Sequence, residues 1–97
     1  MSQRVERHKN VTEFGKSLGL TDIEMELIRY KKRLIEKLKR AREKRELSQA
    51  ALARMVSSKQ PAIARMESGQ VSEVSLDFLF KVALALEVTV TLKPRAA

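Results

Sequence analysis

Residues 47–69 read LSQAALARMVSSKQPAIARMESG, and the fold turns on how this stretch is divided into helices. Proline usually interrupts a helix, yet the residues after Pro61 keep a helical spacing, with Ile63 and Met66 three apart. The conflict disappears if Pro61 lies in a first turn, where N–H groups have no intrahelical acceptor and a missing one costs little. Ser58 then caps a helix that opens with Lys59, Gln60 and Pro61, and Gly69 falls where a left-handed residue closes one. Upstream, Ser48 caps another short helix, with Leu52, Ala53 and Val56 on one narrow apolar face. Two short helices joined by SSK make a helix-turn-helix over 48–68. In such a motif the second helix enters the DNA major groove with its N-terminal residues at the base edges.

The flanks extend the same helical reading. TDIE (21–24) is a capping box, with Leu20 and Met25 placed for a hydrophobic staple across it. From there Leu27, Leu34, Leu38 and Ala41, with Ile28 and Ile35 alongside, predict a long helix to about Lys44. Downstream, Ser75 caps LDFLFKVALAL, whose Leu76, Leu79, Val82, Ala83 and Leu86 predict a broad core stripe, with Phe78 and Phe80 adding bulk. VTVTL (88–92) alternates with period two, the pattern of a half-buried strand, and Pro94 stops it. Residues 1–10 are polar and aperiodic, a mobile arm that carries the sole histidine, His8. TEFGKSLGL (12–20) offers one short helical turn.

Composition narrows the function. The chain has 97 residues, enough for one domain. It has no cysteine, which excludes disulfides and thiolate metal sites. No apolar run reaches a membrane span and no secretory leader is recognisable, so the expectation is a cytoplasmic protein without membrane contact. The net charge is +8, and residues 31–45 hold nine Lys/Arg against two Glu. Dipole complementation and pairs such as Glu36–Arg40 and Lys39–Glu43 use some of these cations, but so large an excess points to a polyanion, nucleic acid first. Catalysis has little to work with: two Asp, no thiol, no phosphate loop and no paired acids, hence no enzyme, metal or cofactor is expected.

The pattern in 47–69 resembles the Xre family of phage-repressor-like helix-turn-helix proteins. Leu47, Ser48, Gln49, Leu52, Ala53, Ile63, Met66, Glu67 and Gly69 match its motif without a gap, and the likeness spans roughly residues 30–88. Three positions depart from it: Ser57 stands for the turn glycine, Ser58 for the apolar residue after it, and Ala51 for a usual Glu. The leader EFGKSLGL and the strand-like ending resemble HigA-type antitoxins encoded beside toxin genes. The implied architecture is an all-α, lambda-repressor-like domain over 21–97, preceded by an arm (1–20) and ending in a C-terminal β-strand.

The resemblance also implies roles. Lys59, Gln60, Ala62 and Arg65 take the groove-facing side of the recognition helix. An arginine forks to guanine O6/N7, a glutamine pairs with adenine N6/N7 or bonds a phosphate, and an alanine touches the thymine methyl; Lys59 serves equally as a phosphate contact. Gln49 is expected on a backbone phosphate, with Ser68 and Gln70 as further phosphate contacts. Glu67 is expected to pair with Arg42 as a structural clamp. Val88, Val90 and Leu92 are expected to form a dimer strand, giving a homodimer on a palindromic double-stranded operator. The expected function is a repressor, specifically an antitoxin that represses its own operon. The rivals are a toxin-neutralising module with secondary DNA binding, and a nonspecific basic nucleic-acid binder. Gln60, Ala62 and Arg65 on one helical face argue against the last, because phosphate binding alone does not need them.

Overall fold

The computed structural model describes Gly19 and residues 21–94. Helix α1 runs Asp22–Lys44, α2 Gln49–Met55 and α3 Gln60–Glu67; after a 3-10 turn at Val71–Glu73, α4 spans Leu76–Ala85. The chain divides into two compact units, residues 1–30 and 31–97. Leu20, with its half of the expected staple, and the expected arm and leader turn lie outside the described residues, Gly19 excepted.

In the first unit the capping box forms in both directions. The Thr21 hydroxyl accepts from the Glu24 N–H at 3.1 Å, and Glu24 Oε1 accepts from the Thr21 N–H at 2.9 Å. The Thr21 N–H foremost, and the Thr21 hydroxyl donating to the same oxygen at 3.1 Å, hold the Glu24 carboxyl below its ordinary pKa. Met25 is buried, whereas Ile23, Leu27 and Tyr30 are exposed. Leu27 therefore departs from the expected core stripe.

In the second unit one core gathers Ile35 and Leu38 of α1, Leu52, Ala53 and Val56 around α2, Ile63 and Met66 of α3, and Val74, Leu79, Val82, Ala83 and Leu86. Ser48 and Ser75 cap α2 and α4 through their hydroxyls, accepting from Ala51 N–H at 2.9 Å and Phe78 N–H at 3.1 Å. Lys31 Nζ donates to the carbonyls of Val71 and Val74 at 3.2 and 2.8 Å, so one cation of the basic stretch pins the 3-10 turn.

Helix ends explain where the structure departs from the sequence reading. After α1, α2 and α4 come Glu46, Ser57 and Glu87, with φ of 57°, 56° and 59°. The next residues reach back five positions: Leu47 N–H to Arg42 O, Ser58 N–H to Ala53 O, and Val88 N–H to Ala83 O. Each end is a Schellman motif built without glycine.

Two corrections follow. Ser58 closes α2 instead of capping α3; the cap of α3 is Lys59, without a side-chain bond, and Gln60 and Pro61 begin the helix. Val88 closes α4 with its N–H and packs against the core with its side chain, and the expected β-strand at 88–92 is not seen in the single chain. Val90 and Leu92 are exposed, and no neighbouring strand exists among the described residues to complete a ladder. The α4 stripe is also narrower than predicted, because Leu76 and Phe80 face outward.

A non-glycine residue in the left-handed region costs about 1–2 kcal/mol. Ser57→Gly removes that cost while adding some backbone entropy to the unfolded chain. The expected net gain is about 0.5–1 kcal/mol, seen as a higher Tm in thermal unfolding. Ser57→Val, with a branched side chain in the same conformation, should lower it.

Candidate nucleic-acid interface

Helix α3 is fixed by what lies behind it. Ile63 and Met66 are fully buried, while Lys59, Gln60 and Arg65 are exposed and Ala62 is half-buried. The residues read from the sequence as groove-facing thus share the outer side of one anchored helix.

The anchor is polar as well as apolar. Arg42 Nε donates to Glu67 Oε2 at 2.6 Å and Nη2 donates to Glu67 Oε1 at 2.9 Å, a bidentate pair. Arg42 Nη1 donates to the Leu47 carbonyl at 2.6 Å, tying the end of α1 into the same cluster. The two side chains keep only 12% and 3% of their surface. The hydrogen bond to Glu67 raises the Arg42 pKa further above its already high ordinary value, against the opposing effect of burial.

From Glu67 the bonding continues toward the exposed face. Gln49 Nε2 donates to Glu67 Oε1 at 3.0 Å, and Gln60 Nε2 donates to Gln49 Oε1 at 2.7 Å. Gln49, expected on a phosphate, is therefore held inside the motif by both ends of its amide. Gln60 uses one N–H of its amide and retains the other N–H and the carbonyl oxygen. One donor and one acceptor are what a bidentate adenine contact requires. The bond to Gln49 orients Gln60 without exhausting it.

The remaining expected residues are less concentrated. Ser68 is exposed but donates its hydroxyl back to the Arg65 carbonyl at 2.7 Å; Gln70 is exposed beyond the helix. Beside the outer side of α3 lies an open groove of about 290 Å³, lined by Ser58, Ala62, Arg65, Glu73, Val74, Ser75 and Phe78. Glu73 and Ser75 were not singled out for this surface by sequence, since the turn that brings them there carries no motif. The basic stretch is partly used within the fold: Arg42 and Lys31 as above, Arg45 on Glu87 at 3.0 Å, and Arg40 on Glu36 at 3.7 Å. Lys32, Lys37 and Lys44 stand exposed on α1. Among the described residues there is no cluster of three or more His, Cys, Asp or Glu that could hold a metal ion, and no helix is long and apolar enough to cross a membrane.

The sequence model of a family described as helix-turn-helix matches residues 38–93, more than half of the chain, and the chain belongs to that family. Its members are DNA-binding transcription regulators, typically without enzymatic activity. No curated protein and no solved structure matches the chain significantly.

Breaking one side of a buried pair leaves the other charge uncompensated. Glu67→Ala should therefore cost about 3 kcal/mol in urea unfolding. The double variant Arg42→Ala/Glu67→Ala should cost less than the sum of the singles by about 1 kcal/mol or more. Strict additivity would contradict a direct contact.

Proposed function

We propose that this chain is a sequence-specific transcriptional repressor that binds a palindromic duplex as a homodimer. In this reading Gln60, Ala62 and Arg65 face the bases, while Lys59, Ser68 and Gln70 serve the phosphates and Gln49 braces Gln60. The observation that carries it is the exposed side of α3, backed by the buried Arg42–Glu67 pair and the Gln49–Gln60 bond. Phosphate attraction alone does not require a glutamine pre-oriented on a helix beside an arginine. Base recognition does.

Repression follows from occupancy: a small domain seated on its promoter excludes other proteins from the same DNA. The antitoxin role on its own operon rests on the resemblance of the leader and ending to HigA-type antitoxins. Co-expression with the adjacent gene tests that part; a product of that gene that purifies bound to this chain supports it, and one that purifies free of it counts against it.

Arg65→Ala tests the base-reading role. On a promoter fragment bound by the native chain, the variant should lose about 1–3 kcal/mol of affinity and relax selection at one base pair. On scrambled DNA of the same length it should bind nearly as the native chain does. Equal losses on both would reassign Arg65 to phosphate contact and contradict this reading.

A further inference from the structure

Helix α4 carries more apolar surface than the core uses. Leu79, Val82, Ala83 and Leu86 are buried, while Leu76, Phe80 and Leu84 are exposed at 37%, 40% and 79%. These three are each four residues apart, so they form one stripe along the outer side of the helix. Single exposed apolar residues are ordinary on a soluble protein, but an aligned run of three is a seam that a second helix fits. Along one edge of that stripe lie Asp77 and Lys81, both exposed and again four apart.

We propose that this stripe is the homodimer interface, α4 of one chain packing antiparallel on α4 of a second copy about a two-fold axis. The surface is complementary to itself. With Phe80 on the axis, Leu76 of each copy lies opposite Leu84 of the other, so the most exposed residue of the stripe is covered at both ends. The charges select the direction. A two-fold operation keeps the Asp77/Lys81 edge on the same side in both copies and reverses its order. Asp77 of one copy then meets Lys81 of the other, whereas a parallel two-fold places the two edges on opposite sides of the seam, where these charges do not pair.

The stripe also lies away from the groove beside α3. Phe78 follows Asp77 and Lys81 around the helix, and Phe78 lines the groove with Ala62 and Arg65. Phe78 lies about 160° around α4 from Phe80, so pairing through the stripe leaves this groove uncovered in both copies. The inference rests on the DNA-binding reading for the operator's symmetry, but the interface is measured without DNA.

Leu84→Lys is a mild change for folding because the side chain is largely exposed, and circular dichroism checks its helix content. In sedimentation equilibrium the native full-length chain should be dimeric and Leu84→Lys monomeric. The variant should keep its affinity for a single half-site. Charge exchange supplies a second measurement. Asp77→Lys and Lys81→Asp should each weaken self-association about tenfold or more. An equimolar mixture of the two should recover it, because opposite charges then meet only between chains. A purely intrachain role for the two residues is not repaired by mixing.

Three results would overturn the proposal: a native chain monomeric throughout, a Leu84→Lys chain still dimeric, or a mixture that fails to associate. A persistent dimer would move the interface elsewhere, with Val90 and Leu92 the next exposed apolar surface. Loss of half-site binding by the native chain would instead strike the DNA-binding reading and leave the interface untouched.

Discussion

A guanidinium with little exposure, bonded to both oxygens of one carboxylate, is the constraint around which the helix-turn-helix half of this domain is arranged. Arg42 comes from the end of α1 and Glu67 from the end of α3, so the pair ties the end of the helix-turn-helix to the helix before it. The third bond, to the Leu47 carbonyl, holds the turn between α1 and α2. Glu67 places a negative charge on the very helix offered to a polyanion. Burial behind the helix and neutralisation by Arg42 remove that conflict. What remains outward on α3 is cationic or neutral: Lys59, Gln60, Ala62 and Arg65.

The pair also has a consequence one shell further out. Because Glu67 Oε1 accepts from Gln49, and Gln49 accepts from Gln60, a side chain on the exposed face of α3 is oriented by a charge set in the scaffold. Holding a recognition group in place before binding lowers the conformational entropy lost on binding. The apolar anchors Ile63 and Met66 supply the rest of the positioning; polar and apolar contacts act on the same short helix from the same side. A helix of eight residues is too short to be stable alone, so its conformation depends on this packing.

The sequence showed the helices well because their signals are local. Spacing marks α1 and α4, and the caps at Thr21, Ser48 and Ser75 form as side-chain chemistry predicts. The helix ends were harder to see, since Glu46, Ser57 and Glu87 take a conformation that glycine usually marks. That is why Ser58 was read as a cap and Val88 as the start of a strand. Periodicity also cannot tell a core face from an outer seam, so Leu76 and Phe80 were counted with Leu79 and Val82 until packing separated them. The partnership of Arg42 with Glu67 lies 25 positions apart and was legible only through family likeness. The Gln49–Gln60 bond had no signal in sequence, because either amide alone satisfies the phosphate or base role.

The most direct test of the central claim, that α3 reads a two-fold site, is selection of duplexes from a random-sequence pool by the native full-length chain. The account predicts an inverted-repeat consensus whose half-sites are centred about one helical turn apart. A pool that stays unenriched while still binding the protein would contradict it, and would make the chain a nonspecific binder of DNA.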